Sequence, residues 1–376
     1  MLKTVSQYAR KAMKQVLRSD RFEPIRQQWA GLGACLVYHR VVETPADAGA
    51  FAPYSGLTVT AKQFRAQMQH VRAKYRCLPV EDLVARLRSG TLERGSVAIT
   101  FDDGYRDNLT VALPILEELG IPATIFVSTG LIEEGTGLWW YDLQRLISRY
   151  NSLSFDWNGR RWEFELQTTE LKTRATLVLN EIFKRLDPAQ QATLFRSMDP
   201  HSEYPGNYSG EMLTWDEVEW LARHPLITIG AHTVRHPVLS RLREPQLSFE
   251  LSESRRILAE RLRRTVSLFA YPYGGPEQAG PREFAAASTT GFCAAFTTRF
   301  HHLQTTHRHT PHGLPRIGIT DTDTPQSFAD KLTGLTAILL SPLPLHVSVT
   351  LREVSETLRK VSETVCASGS FRGVGW

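Results

Sequence analysis

The chain has 376 residues, 42% hydrophobic and 22% charged, enough to bury one large core or two smaller ones. Its 44 Lys and Arg against 39 Asp and Glu leave a net charge of +5, too small and too dispersed to argue for a nucleic-acid partner. Four cysteines, at positions 35, 77, 293 and 366, form no C-x-x-C pair, so neither a zinc ribbon nor a disulfide framework is indicated and reduced thiols are expected.

In chain order, residues 3–19 predict an amphipathic helix, with Val5, Ala9, Ala12, Met13, Val16 and Leu17 on one side and lysines and arginines on the other. The N-terminus develops no apolar run of secretory length, so a cytoplasmic location is expected. The helix either packs on the domain or rests on the inner membrane surface. From about residue 31 short apolar runs alternate with helical segments, the pattern of an α/β domain with parallel strands. SVAITF, DDGYRDN, the helical LTVALPILEEL, Gly120 as a stop and ATIFVS make a clear β-α-β unit. Further strands are expected at 35–38, 226–230, 267–270 and 316–319. Residues 138–212 are less regular and read as an insertion, with SLSFDWNGRRWEFEL as a hairpin and LKTRATLVLNEIFKRL as a helix. The barrel pattern resumes at MLTWDEVEWLARH, where Thr214 and Glu217 have capping-box spacing. The apolar stretch 332–351 is interrupted by Pro342, Pro344 and His346, which argues against a membrane span. The expected organisation is therefore a helix and linker over 1–30, one domain over 31–335 and an extension over 336–376.

Four expected strands are followed at once by groups able to do chemistry: His39, the pair Asp102 and Asp103, His232, and the run Tyr271 to Gly274. In parallel α/β barrels the carboxyl ends of the strands share one rim, so these groups can converge on one pocket. His232 and His236 are four apart, which on one helical turn puts both imidazoles within reach of one cation. Asp102 or Asp103 can complete such a site, leaving positions open for water and substrate. Successive side chains diverge, so the two aspartates divide the work, one as ligand and one as base. Taken alone, a DD pair is more often a helix cap and an H-x-x-x-H pair more often packing.

Together, ITFDDGY, AHTVRH and AYPYGG resemble the polysaccharide deacetylase family, the NodB-homology domain of carbohydrate esterase family 4. The resemblance covers roughly residues 31–335. It implies a distorted (β/α) barrel, usually seven-stranded, and a hydrolase that removes acetyl groups from N-acetylated sugars. Asp102 is then the general base, with Asp103, His232 and His236 as ligands of a divalent metal, usually zinc and sometimes cobalt, nickel or iron. The backbone N–H of Tyr273 helps bind the oxyanion. Two departures stand out. Many relatives have an arginine where this chain has Ala270, and Arg316 in LPRIGI is the candidate replacement that orients the base. No C-terminal leucine-histidine motif is evident, but LVYHRVV is similar to the first strand of a permuted branch, which makes His39 the general acid.

The implied partner is an N-acetylated polysaccharide or a lipid-linked oligosaccharide of surface polysaccharide biosynthesis. Rival readings are an O-acetyl esterase, a non-sugar C–N hydrolase, or a non-catalytic glycan-binding protein on the same fold. Other conspicuous features are read plainly. The histidines at 301, 302, 307, 309 and 312 form a solvated loop, and RRILAERLRR is the wet face of a helix. Trp139, Trp140 and Tyr141 either stack on sugar rings or pack in the core.

Overall fold

The computed structural model describes residues 13–44, 51–134 and 137–341. Contacts divide the chain into two compact units, Leu32–Phe328 and a second made of Met1–Gly31 with Ala329–Trp376. The strands of the first unit, in chain order, are β1 (Gly33–Tyr38), β2 (Arg40–Val42), β3 (Thr58–Thr60), β4 (Arg76–Cys77), β5 (Ser96–Phe101) and β6 (Ala123–Val127). They continue with β7 (Ser152–Trp157), β8 (Arg160–Glu165), β9 (Ile227–Ala231), β10 (Leu268–Ala270), β11 (Ala294–Phe296) and β12 (Ile317–Gly318).

Every residue of β1, β5 and β6 is buried, as strands covered on both faces must be, and their apolar runs carry no polar alternation. They belong to a curled parallel sheet with the order β11-β10-β9-β6-β5-β1-β12, and β4 pairs with β5 off this path. The segment before β12 closes the curl. Leu314 bridges Phe296 of β11, while Ile317 and Gly318 pair with β1. This is the seven-stranded (β/α) barrel expected, with one weak seam. Cys35, Ala98, Phe126, Leu268, Phe296 and Leu314 form part of one buried cluster.

Several elements differ from expectation in instructive ways. β11 went unread because AAF offers two small residues and no β-branched run, so position between β10 and the seam makes it a strand. The helix after the DD pair starts as a π-helical stretch, Asn108–Ala112, before the regular Leu113–Leu119 with Pro114 in its first turn. Gly120 ends it in the left-handed region at φ 61°. Within the insertion, β7 and β8 form the antiparallel hairpin, and helix Thr169–Phe183 follows. The capping box of Thr214 and Glu217 is formed.

In the second unit Leu17, Phe22 and Leu335 make a small core, against which Met13, Val16 and Ile25 pack. Arg18 grips Asp330 with two hydrogen bonds of 3.0 and 2.6 Å. Of the amphipathic segment 3–19, residues 3–12 lie outside the described residues, as does 342–376 of the C-terminal extension with Cys366. No described helix is long and apolar enough to cross a membrane. Cys35, Cys77 and Cys293 are free thiols.

The barrel interior leaves no slack at Gly230 on β9, where an added Cβ would stand 2.5 Å from the ring of wholly buried Phe126. Gly230→Ala is therefore expected to lower stability by about 1–3 kcal/mol in urea denaturation. Adding Phe126→Leu should recover part of the loss, and an unchanged midpoint for the single variant would contradict this packing.

Candidate active site

The rim formed by the strand ends brings the expected groups together. His39 follows β1, Asp102 and Asp103 follow β5, His232 follows β9, and Tyr271 to Tyr273 follow β10. Asp102 is anchored by its N–H to the Tyr38 carbonyl at 3.0 Å, and the His232 N–H donates to Val127 at 2.9 Å. Arg316 is placed differently. It stands one residue before β12, and its side chain runs inside the barrel across Phe126 to the rim.

There Arg316 donates to both carboxylate oxygens of Asp102, at 2.7 and 2.6 Å, with both side chains buried. Two further donors go to the Thr297 carbonyl at 3.0 Å and the Thr100 hydroxyl at 3.1 Å. Burial alone would raise the Asp102 carboxyl, but Arg316, aided by His232 and His39, holds it below the usual range. The sequence departure at Ala270 is thus matched by a planar two-bond clamp from another strand.

Asp103 has no such permanent partner. Its Oδ1 is buried without a hydrogen bond and lies 3.3 Å from His232 Nε2 and 3.2 Å from His236 Nε2. His232 Nδ1 sits 2.8 Å from the Ala270 carbonyl, which can only accept, so a neutral ring carries its proton there. Its Nε2 then presents a lone pair to a carboxylate oxygen, a buried arrangement suited to a shared cation. Two ligands at about 2.0–2.1 Å from one tetrahedral ion lie about 3.3 Å apart, which matches both separations. Among the described residues Asp103, His232 and His236 are the group of this kind able to hold a metal. The histidine cluster after residue 300 is not. His301 and His312 sit against backbone carbonyls, His307 accepts from Gln304, and His302 is buried, so the loop is only partly solvated.

The histidine pair meets through a turn rather than the helix expected. Thr233 and His236 adopt φ of 68° and 57°, and the ring centroids lie 5.0 Å apart. Asp103 and Tyr273 are also left-handed, at 75° and 61°. Four of the six non-glycine residues with positive φ among the described residues therefore belong to the rim, and strain of this kind persists only where surroundings enforce it.

Part of that enforcement comes from Glu250, which sequence reading missed. Its carboxylate accepts the N–H groups of Val234 and Arg235 at 2.8 and 3.0 Å. Burial pushes its carboxyl up and these bonds oppose it. The available signal was a Glu between Leu247, Leu251 and Leu258 on the inward stripe of helix Glu244–Leu262. Ser128 adds support nearby, its hydroxyl donating to the His232 carbonyl at 2.7 Å. Asn108 likewise donates to the His39 carbonyl at 2.8 Å. Burial lowers the His39 pKa, opposed by the charges of Asp103 and Asp102.

Two clefts adjoin the rim. One of about 280 Å³ is lined by Arg40, Tyr54, Tyr105, Trp140, Tyr141 and Tyr208. The other, about 690 Å³, is bordered by His236, Tyr273 and Trp139. Trp139 is buried and stacks on Phe183 at 5.2 Å, and Trp140 lies 5.3 Å from the His236 ring, so both indoles are packing residues whose edges reach the clefts. Of the basic helical run, Arg256 is exposed while Arg255 bonds the carbonyls of Val266 and Thr290.

A family model described as polysaccharide deacetylase matches residues 89–287, more than half of the chain. That range holds the aspartates, His232, His236 and Tyr273, while His39 and Arg316 lie outside it. Poly-beta-1,6-N-acetyl-D-glucosamine N-deacetylase of Staphylococcus aureus is 26% identical over 150 residues, 39% of this chain and 48% of that protein. The chain thus spans about half the length of the curated relatives it matches. Among solved structures, the Streptococcus pyogenes deacetylase PplD in complex with acetate superposes with a TM-score of 0.54 at 20% identity, covering 80% of this chain and 97% of that one. A polysaccharide deacetylase from Bacillus cereus gives 0.51 at 16% identity, covering 80% and 68%. At these identities the likeness is one of fold.

Removing Glu250 tests the support of the histidine turn. Glu250→Ala should cost about 1–3 kcal/mol by leaving one buried and one part-buried N–H group unmet. It should also weaken divalent-metal affinity about 10–100-fold in a metal titration. A folded variant with unaltered metal affinity would remove Glu250 from the site.

Proposed function

The chain belongs to the polysaccharide deacetylase family, and from that premise we propose that it is a metal-dependent hydrolase removing N-acetyl groups from N-acetylglucosamine-type sugars. The substrate is a polysaccharide or lipid-linked glycan of surface polysaccharide assembly. The observation that carries this reading is the buried Asp103 Oδ1 set between two imidazole nitrogens, beside an aspartate clamped by arginine. The named activity of the Staphylococcus aureus relative supports the substrate class. The family match does not favour the O-acetyl esterase, the non-sugar hydrolase or the non-catalytic binder.

Asp103, His232 and His236 would hold the ion, for which the two-nitrogen, one-oxygen donor set favours zinc, with cobalt, nickel or iron as substitutes. Such an ion supplies Lewis acidity, polarising the acetyl carbonyl and making water a stronger acid. Asp102 takes the proton from the attacking water, its orientation set by Arg316 and its charge kept available by the lowered pKa. The Tyr273 N–H donates to the developing oxyanion. His39 gives its proton to the departing amine; burial lowers its pKa, which makes the protonated ring a stronger acid while favouring its neutral form, and the charges of Asp103 and Asp102 oppose that loss. Carbonyl C–N cleavage then yields acetate and the free amino sugar. A peripheral place at the inner membrane surface is part of the same reading, supported by the basic amphipathic pattern of residues 3–19.

The aspartates should separate on substitution. Asp102→Asn is expected to keep bound metal while acetate release falls about 100-fold or more, and Asp103→Asn to lose metal affinity itself. Metal analysis beside an acetate assay reads both, and full activity in stringently metal-free protein would refute the mechanism.

His39→Ala should lower amide hydrolysis about 100-fold or more with metal retained. An activated acetate ester, whose leaving group needs no proton, should suffer much less. Equal losses on amide and ester would count against the acid role.

A further inference from the structure

The larger cleft carries a charge pattern that deacetylation of a neutral sugar does not require. It begins at His236 and Tyr273 and runs between two walls. One wall is the insertion, where helix Thr169–Phe183 ends and helix Pro188–Met198 begins. The other is the segment from Arg235 into helix Glu244–Leu262. Lys184, Arg185, Arg235, Arg241 and Arg243 line it, against the carboxylates of Asp187 and Glu250.

Both carboxylates are already engaged. Glu250 is buried and bonded to the N–H groups of Val234 and Arg235, and Asp187 caps its helix through the Gln190 N–H at 2.8 Å. Lys184 pairs with Glu181 at the margin, and its Nζ also lies 5.4 Å from the Tyr273 ring centroid. That ring is 4.8 Å from the His236 ring, so the cationic wall starts one side chain away from the candidate metal ligands. Arg185, Arg235, Arg241 and Arg243 have no carboxylate within ion-pair distance among the described residues, although Glu181 feels the charges of Arg185 and Arg241 and Glu250 that of Arg235 at longer range, while Arg256 and Arg261 nearby do pair. Arg235 rests over the Phe249 ring at 5.6 Å, which fixes its stem and leaves guanidinium donors for a ligand. Five cations against three carboxylates in one concave wall, four of the cations without a direct ion pair, raise the local concentration of anions and favour bidentate bonds to carboxylate or phosphate.

We propose that this cleft seats an anionic group, a carboxylate or a phosphate, carried by the substrate next to the sugar being deacetylated. The inference rests on the deacetylase reading above and narrows it. The substrate class becomes an acidic glycan, or a glycan still bearing its phosphate linkage, rather than a neutral homopolymer.

The test uses the full chain with metal and three probes of matched length. They are a neutral N-acetylglucosamine oligomer, an oligomer alternating N-acetylglucosamine with glucuronate, and an N-acetylglucosamine oligomer ending in a prenyl diphosphate. Binding is read by calorimetry and turnover by acetate release. One or both anionic probes should bind more tightly than the neutral one, through KM rather than kcat. The preference should fade in about 1 M salt, where the Debye length shrinks to about 3 Å. The combined variant Arg185→Gln, Arg241→Gln, Arg243→Gln removes exposed side chains only. It should cut the anionic-to-neutral ratio of kcat/KM roughly tenfold. Preference for glucuronate alone identifies the group as a carboxylate, and preference for the diphosphate alone identifies a phosphate linkage. Equal binding of all three probes, or a preference that survives the triple variant, would overturn the proposal. Charge-dependent binding of an anionic probe without acetate release from any probe would instead overturn the deacetylase reading and leave the cleft as an anion site.

Discussion

A guanidinium with no access to water has to be matched by a carboxylate, and in this chain that requirement joins the barrel seam to the candidate chemistry. Arg316 belongs to the short stretch that touches both edges of the curled sheet. Its N–H donates to Arg299 beyond β11, and the next two residues pair with β1. Its side chain meanwhile binds Thr297, Thr100 and both oxygens of Asp102. Breaking a buried pair by removing one partner typically costs about 3–5 kcal/mol, because the survivor is left charged in a dry interior. The weakest join of the sheet and the orientation of Asp102 therefore stand or fall together.

The rim has a second cost, paid in backbone conformation. Thr233 is β-branched and sits at φ 68°, a region that such residues avoid. Its hydroxyl accepts from the His236 N–H at 3.0 Å, closing the turn from inside, while Glu250 secures the two N–H groups between. Two left-handed residues in five reverse the chain so that imidazoles leaving one strand end face back toward Asp103.

This explains which features were legible in the sequence. Continuous apolar runs such as SVAITF fix buried parallel strands, and the motifs at their ends mark one rim, because burial on both faces and strand polarity are local consequences of residue type. The insertion hairpin was readable from its alternation, LSFDW against RWEFE, around Asn158 and Gly159. β11 was not, since Ala294, Ala295 and Phe296 become a strand only through their neighbours. The helical reading of His232 and His236 failed because spacing alone does not tell a helix from a tight turn. Glu250 was hidden for a related reason. A carboxylate on an inward stripe looks like a flaw in amphipathicity until the amides it meets, far off in sequence, are known.

The neighbouring aspartates show how one dipeptide acquires two electrostatic characters. Both are buried and each would be driven toward neutrality by desolvation. Asp102 escapes through a partner that is always charged, since guanidinium does not deprotonate in proteins. Asp103 faces imidazoles, whose charge depends on protonation, and one of them is held in a tautomer that turns its lone pair inward. The first carboxylate is thus stable as an anion whatever else is bound, as a proton acceptor has to be. The second is held well below the usual carboxylate range, against the pull of burial, by His236, His232 and His39. Asp103 sits in a left-handed turn at φ 75°, with its carboxylate against His232 and His236 beyond β9, while Arg316 holds that of Asp102 from the opposite edge of the sheet, so the chain reversal at the strand end and the partner of each aspartate go together.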